Sequence, residues 1–280
     1  MSLSTNDPAG QQENTPRSVT IVGLGEVGRV YGSALVAAGH RVSGHDPFID
    51  TAPAGVTVHG LLTDAVKGAE LVITLTAASA SHTVAAEAAA AMPEGAIYAD
   101  FTSSGPVDKR RLIALFEHRP DVSLTDVAIL GPVIQQGVAT PLMAVGPGAA
   151  VVAEVMKSIG AGIEVIEGSV GDAMAHKLLR SVFMKGLASV VVEAVAAGRA
   201  AGMEDWIRGQ ITDVLAGDGQ AVIDRFLNGT VKHARRRSAE MRSTSAYLTE
   251  LGVPSEMTDA SATAMERMTA QSRPDERVGS

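Results

Sequence analysis

Gly23, Gly25 and Gly28 follow the run Val19-Thr20-Ile21-Val22 in the order Gly23-Leu24-Gly25-Glu26-Val27-Gly28. A Gly-x-Gly-x-x-Gly turn leaving an apolar strand suits the delivery of bare backbone to an anionic diphosphate. The first glycine permits the tight turn, the second lets main-chain N–H groups approach phosphate, and the third lets the next helix lie close to the sheet. That helix would direct its N-terminal N–H groups and positive dipole end at the anion. Asp46 stands about 20 residues further on, closing the run 41–45, where a carboxylate accepts hydrogen bonds from an adenosine ribose. It would repel a 2′-phosphate, and Pro47-Phe48-Ile49-Asp50 offers no cation to bind one. The expected cofactor is therefore NAD, with NADP disfavoured. A turn residue ahead of Pro47 is the plain alternative for Asp46.

Other side chains could carry chemistry beside such a cofactor. Thr76-Ala77-Ala78-Ser79-Ala80-Ser81 follows a third apolar run, and Asp100-Phe101-Thr102-Ser103-Ser104-Gly105-Pro106 follows a fourth. Small residues there leave room for a ribose and nicotinamide, and Thr76, Thr102 and Ser103 supply hydroxyls; helix capping by Ser81 and Ser104 explains the same sequence without a ligand. After a fifth run, Leu130-Gly131-Pro132 opens a loop whose N–H groups could meet an anionic substrate, although an ordinary strand exit looks similar. Lys177 and Ser181 lie four apart on a predicted helix and share a face with Arg180 alongside, while His176 points about 100° away. A partly buried ammonium can exchange a proton with a substrate hydroxyl during hydride transfer, whereas a lysine on a helix is ordinarily a solvated charge. His233, Arg236, Arg237 and Glu240 are expected on one side of a basic helix, either clamping a substrate anion or forming internal Glu–Arg pairs on a solvated face.

The elements that must hold these residues follow from periodicity. Runs 19–22, 41–45, 71–75, 96–100 and 124–129, with 142–145 and 163–166 later, read as strands alternating with alanine-rich helices, and 27–38 reads as the helix after the glycine turn. This alternation predicts an α/β, Rossmann-type doubly wound parallel sheet. From residue 168 the pattern is helical throughout: 172–202, 205–227, 231–251 and 256–269. The predicted organisation is a leader over 1–17, a dinucleotide-binding domain over 18–167, an all-helical domain over 168–272 and a tail over 273–280. The helix over 172–202 is long and apolar enough to need burial that a domain of roughly 110 residues supplies poorly, so a homodimer with interleaved C-terminal helices is expected, a compact monomeric bundle being the alternative.

Composition narrows the partners. With 23 Lys and Arg against 31 Asp and Glu the net charge is −8, which disfavours a nucleic-acid partner. Aromatics make up 3%, so Ala, Val, Leu and Met must fill the core. The absence of cysteine removes disulfides, thiol nucleophiles and thiolate metal sites, no metal is expected, and a cytoplasmic location suits such a chain. The first 16 residues lack the basic and apolar regions of a signal peptide, and no unbroken run of about 18 apolar residues suggests a membrane span.

Together these segments resemble the β-hydroxyacid dehydrogenase superfamily, which includes 6-phosphogluconate and 3-hydroxyisobutyrate dehydrogenases, over about residues 18–270. The glycine turn and Ala38-Gly39-His40-Arg41-Val42 match its opening. Asp100 to Pro106 looks like its Asp-x-Ser-Thr-x-x-Pro segment, and Gly168-x-x-Gly171 followed by Lys177 is similar to the segment holding its catalytic lysine. The resemblance implies Lys177 as general acid/base, with Ser181 at the position of the family's asparagine and Leu130 at that of its substrate-binding serine. The C-terminal half looks like a less characterised branch, which leaves the substrate open. The activity implied is hydride transfer between the nicotinamide and a small hydroxyacid, with Gly131 and its loop at the acidic end and Ser181 and the Arg236 face orienting the rest. Imine reduction, which related enzymes perform without the lysine, is the alternative, and a catalytically silent nucleotide-binding protein is another.

Overall fold

The computed structural model describes residues 15–49 and 51–271. Most of the expected leader and the tail over 273–280 lie outside the described residues. In chain order the elements are β1 (Ser18–Val22), α1 (Glu26–Ala37), β2 (Arg41–His45), β3 (Thr57–Val58), α2 (Leu62–Val66), β4 (Leu71–Thr74), α3 (Ser81–Ala91), β5 (Ile97–Asp100), α4 (Pro106–Phe116), β6 (Ser123–Ile129), α5 (Val133–Gln136), β7 (Leu142–Val145), α6 (Ala149–Ser158), β8 (Ile163–Val165), α7 (Asp172–Ala200), α8 (Glu204–Leu215), α9 (Gly219–Lys232), α10 (Ala234–Glu250) and α11 (Glu256–Gln271). The described residues up to 179 and those from 180 onward form two compact units.

The first unit is built on one sheet in the order β3-β2-β1-β4-β5-β6-β7-β8. Strand order reverses between β1 and β4, the switch point beside which doubly wound sheets bind ligands. Period-two alternation sends Ile21, Leu71, Ile73, Ala99 and Val127 to one face against α1 and α6. Val22, Val72, Tyr98 and Leu124 go to the other, against α3 and α4. Both faces are therefore covered, which is why β4 and β5 are buried at every residue. Each large aliphatic side chain so enclosed contributes roughly 1.5–3 kcal/mol.

The mostly parallel sheet and the all-helical second unit agree with the expected fold class, and three details differ. β7 runs antiparallel to β6, with Ile129 opposite Leu142, because the connection 130–141 returns directly instead of crossing over a face. The two-residue β3, paired to β2 through Ser43 and Thr57, is too short and too exposed to show a period. The helical pattern expected over 205–227 is two helices: Gly217 follows α8, and Asp218 caps α9 by accepting from the N–H groups of Gln220 (2.9 Å) and Ala221 (3.3 Å). α9 then continues to Lys232, so the helix expected from 231 begins at Ala234.

In the second unit α10 and α11 are held side by side through Arg242, whose Nε donates to Glu266 at 3.0 Å. Glu193 of α7 accepts hydrogen bonds from the N–H groups of Met257 (2.7 Å) and Thr258 (2.9 Å) and from the Thr258 hydroxyl (2.6 Å), satisfying the open start of α11. The burial expected for α7 is not found among the described residues: only Ala173 and Met174 of its 29 residues are buried. By length and composition alone this helix could cross a bilayer. Glu193 in its midst, bonded to another helix start, fits cover by protein rather than lipid.

Candidate functional site

Gly23 leaves β1 at φ +95, and a Cβ there would stand 2.8 Å from the carbonyl oxygen of Leu75. The turn therefore passes directly beneath the end of β4 and has room for no side chain. A Cβ at Gly28 would overlap the carbonyl oxygen of Gly23, so α1 packs on the turn as closely as backbone allows. Gly25 differs: nothing lies within 4 Å of the Cβ position, and no side chain caps the helix that starts after it. Leu24 is buried beneath the turn while Gly25 and Glu26 are exposed, with Val27 half-buried. Open space in front of uncapped N–H groups at a 12-residue helix start fits a diphosphate.

Asp46 closes β2 next to this turn. Its Oδ2 accepts from Leu24 N at 2.8 Å and its Oδ1 from Phe48 N at 2.9 Å, which ties the glycine turn to the loop after β2. Each carboxylate oxygen keeps a lone pair for a ribose hydroxyl. Arg29, in the first turn of α1, reaches the same loop, Nη2 donating to Thr51 O at 2.6 Å.

On the other side of the switch point Thr76 abuts Gly23, its backbone N 3.1 Å from the Cβ position of that glycine, and its hydroxyl is buried with no hydrogen-bond partner. Such an orphaned hydroxyl beside the glycine turn is a second sign that the residues fit the cofactor. Ala77 is exposed. Thr102 is buried: its N–H donates to Asp100 Oδ1 (2.9 Å) and its hydroxyl shares a hydrogen bond with Ser104 (2.9 Å), while Ser103 is exposed. Neither serine caps a helix, as the ligand-free explanation requires: Gly105 precedes α4 and Ala80 precedes α3. Leu130 and Gly131 are half-buried and Pro132 exposed at the exit of β6, with Leu130 N donating to Pro141 O at 2.8 Å.

Lys177 is half-buried in the second turn of α7. The start of that helix is fixed by Asp126 of β6, whose Oδ2 accepts from Gly171 N at 2.9 Å and Met174 N at 3.3 Å. Asp126 faces Asp100 across β5 and β6, and Asp100 faces Thr74 across β4 and β5. Lys109 of α4 enters this polar row: its ammonium lies 2.8 Å from Asp126 Oδ1 and 3.5 Å from Asp100 Oδ2, and donates to Asp100 O at 2.7 Å. Neither carboxylate oxygen is aligned with it for a hydrogen bond, so the contacts are ion pairs. The row joins the elements that carry Thr76, Thr102, Leu130 to Pro132, and Lys177.

The remaining predicted residues lie in the second unit. Ser181 is half-buried and Arg180 exposed on α7. His233 does not share a helix face with the arginines as expected: it is the break between α9 and α10, where φ −115 interrupts the helical path. Arg236 is exposed and paired with Glu240 at 2.5 Å, and Arg237 donates to the Thr230 hydroxyl at 2.8 Å. This is the internally paired arrangement.

Lys109 and the capping role of Asp126 escape sequence reasoning. A signal exists: Lys109 occupies the stripe of α4 defined by the buried Leu112 and Phe116, where a cation requires a partner.

Residues 18–171 match the family model described as the NAD binding domain of 6-phosphogluconate dehydrogenase, and residues 199–268 match a domain of unknown function, DUF1932. An uncharacterised 28.5 kDa protein of Methanothermus fervidus is 25% identical over 191 residues, covering 67% of this chain and 71% of that one. Among solved structures, a conserved protein of unknown function, described as structurally similar to 3-hydroxyacid dehydrogenases, is 24% identical with a TM-score of 0.59, covering 92% of this chain and 100% of its own. An imine reductase variant from Myxococcus stipitatus, solved with NAD+, reaches a TM-score of 0.77 at 16% identity, covering 92% of this chain and 95% of its own. These likenesses show a shared fold. Since the match over 18–171 spans more than half the chain and contains the glycine turn, Asp46 and the polar row, the chain belongs to the family of the 6-phosphogluconate dehydrogenase NAD binding domain.

Proposed function

We propose that the protein is an NAD-dependent oxidoreductase that moves a hydride between the nicotinamide and the CH–OH carbon of a small, acidic, β-hydroxyacid-like substrate, with Lys177 as general acid/base. The observation that carries this reading is the polar row, which ties the start of the Lys177 helix to β6, the strand that delivers Leu130, Gly131 and Pro132. Bound NAD supplies the hydride acceptor or donor. The chain supplies the rest: N–H groups of Gly25 to Gly28 hold the diphosphate, Asp46 takes the ribose hydroxyls, and Thr76 and Thr102 border the nicotinamide side. Gly131 offers its N–H to the substrate's acidic end. Lys177 accepts the hydroxyl proton in oxidation and returns it in reduction. Ser181, one turn further along α7, is shorter than the asparagine of the resembling family; Arg236, paired with Glu240, is not among the proposed substrate contacts.

Asp46 supports NAD over NADP, since a carboxylate at the ribose repels a 2′-phosphate and the nearby Arg29 is engaged by Thr51. A homodimer is part of the proposal. Val182 (76% exposed), Phe183 (65%), Val192 (70%), Trp206 (62%) and Leu227 (67%) leave more apolar surface open than a lone soluble chain ordinarily shows.

The test is a panel of small hydroxyacids, phosphorylated ones included, read by absorbance of reduced nicotinamide, with cyclic imines as a parallel arm. Lys177→Ala should keep NAD affinity and lower the chemical step at least about 100-fold on the substrate found. Turnover equal to that of the unaltered chain removes Lys177 from the mechanism. Activity on imines alone assigns the site to imine reduction.

A further inference from the structure

Three charged side chains of the first unit are withdrawn from water: Lys109 and Asp126 are 0% exposed and Asp100 is 1% exposed. Burying charges is costly even when they are paired, so a well-packed apolar set of similar volume would stabilise the fold as well or better. What the charged set provides instead is direction. Asp126 points one oxygen at the Lys109 ammonium (2.8 Å) and the other at two N–H groups of the α7 start, those of Gly171 (2.9 Å) and Met174 (3.3 Å). Free N–H groups at a helix start are donors without helical partners, and a carboxylate there also meets the positive end of the helix dipole.

The cap arrives from a distant strand rather than from the residue before the helix, so it sets where α7 begins relative to the sheet. Gly171 leaves no slack: its φ is +102, and a Cβ would stand 2.8 Å from the carbonyl oxygen of Pro106. Lys177 is three residues beyond Met174, a rise of only about 4.5 Å. A shift of the first turn is therefore carried to the Lys177 side chain nearly undiminished.

We propose that Asp126, held in orientation by Lys109 and Asp100, is a positioning residue for Lys177, anchoring the first turn of α7 so that the amine meets the substrate hydroxyl. The proposal rests on the reading of Lys177 as general acid/base. Asp126 and Lys109 touch no reacting atom in it. Misplacement of a reacting group by about 1 Å can cost on the order of 100-fold in rate, which gives the anchor kinetic leverage that burial alone does not.

The experiment uses the full chain with Asp126→Asn and Lys109→Met, each alone and combined with Lys177→Ala. Amide hydrogen exchange over residues 171–177 is read without substrate, and kcat, KM and the pH profile of kcat are read on the hydroxyacid identified by the panel. Expected are faster exchange over 171–177, kcat lowered about 10-fold or more with unchanged NAD affinity, a displaced pH limb of kcat, and no further loss when either substitution is added to Lys177→Ala. Lys109→Met, which exchanges a buried cation for an apolar chain of similar length, carries the test if Asp126→Asn does not fold. Unchanged exchange, unchanged kcat, or the same proportional loss in the Lys177→Ala background overturns the proposal. A fully active Lys177→Ala removes instead the reading beneath it, and that failure is told apart because the exchange measurement involves no turnover.

Discussion

Asp46 has two duties at once, since the carboxylate that would meet the ribose also holds the glycine turn and the following loop through Leu24 and Phe48. Asp46→Ala should therefore weaken both cofactors while relaxing the preference for NAD over NADP about 10-fold, the ~1.4 kcal/mol expected when one unfavourable charge contact is lost. The ratio of the two dissociation constants, measured by protein fluorescence, is the readout, and an unchanged ratio places adenosine recognition elsewhere. The turn through Gly23, Gly25 and Gly28 was legible because close backbone approach demands small residues at fixed spacing, and Asp46 because it is the acid that closes a strand. Lys109 was not, because a single lysine on α4 carries no period of its own and its partners lie on two strands, β5 and β6. Of the two readings of the Arg236 face, a clamp for a substrate anion or internal pairs, the Arg236–Glu240 pair is the second.

At the scale of elements, His40 fastens three segments together. Its Nδ1 accepts from Arg17 N at 3.1 Å, and its Nε2–H donates to the Ser158 hydroxyl at 2.9 Å, since that hydroxyl donates its own proton to Val155 O at 2.6 Å. The segment before β1, the turn between α1 and β2, and the end of α6 are joined by one neutral imidazole. Burial, followed by the Arg17 charge, holds its pKa below the ordinary 6.5. The unfolded chain therefore takes up this proton first as pH falls below about 6.5, and that uptake favours unfolding; above that range the contribution to stability is whole. Urea unfolding between pH 8 and 5 should show stability declining on the acid side, by at most about 1.4 kcal/mol per pH unit for one proton. His40→Gln should remove this component, and an identical profile in that variant excludes His40 as its source. The seven expected strands lie within a residue of those observed, and the helices expected over 27–38, 172–202 and 256–269 within two, because each strand face and helix stripe has a period to read. The division between α8 and α9 was missed because the apolar period runs on through Gly217, and only the Asp218 cap, a matter of hydrogen bonding, marks the break.

For the whole molecule, the exposed faces of α7, α8 and α9 are the dominant feature. Covering them by a second copy predicts a mass near twice 28.8 kDa by sedimentation. Replacing Val182 and Phe183 together with glutamate should shift the protein toward monomer and lower its thermal stability. A monomer at micromolar concentration in the unaltered protein excludes the proposed dimer.

The reversal of β7 has a further consequence. Ile129 and Leu142 face each other at the mouth of the hairpin, and Leu130 N bonds to Pro141 O just beyond them. Inside, Thr140 bonds back to Gly137 through its hydroxyl. The stretch bearing Gly131 is accordingly stapled at both ends to neighbouring strands rather than slung over a face of the sheet. Under the proposed function such a stretch is a rim of set depth rather than a flap, and exchanging small for large residues along it is expected to change which hydroxyacids turn over while leaving NAD affinity unchanged.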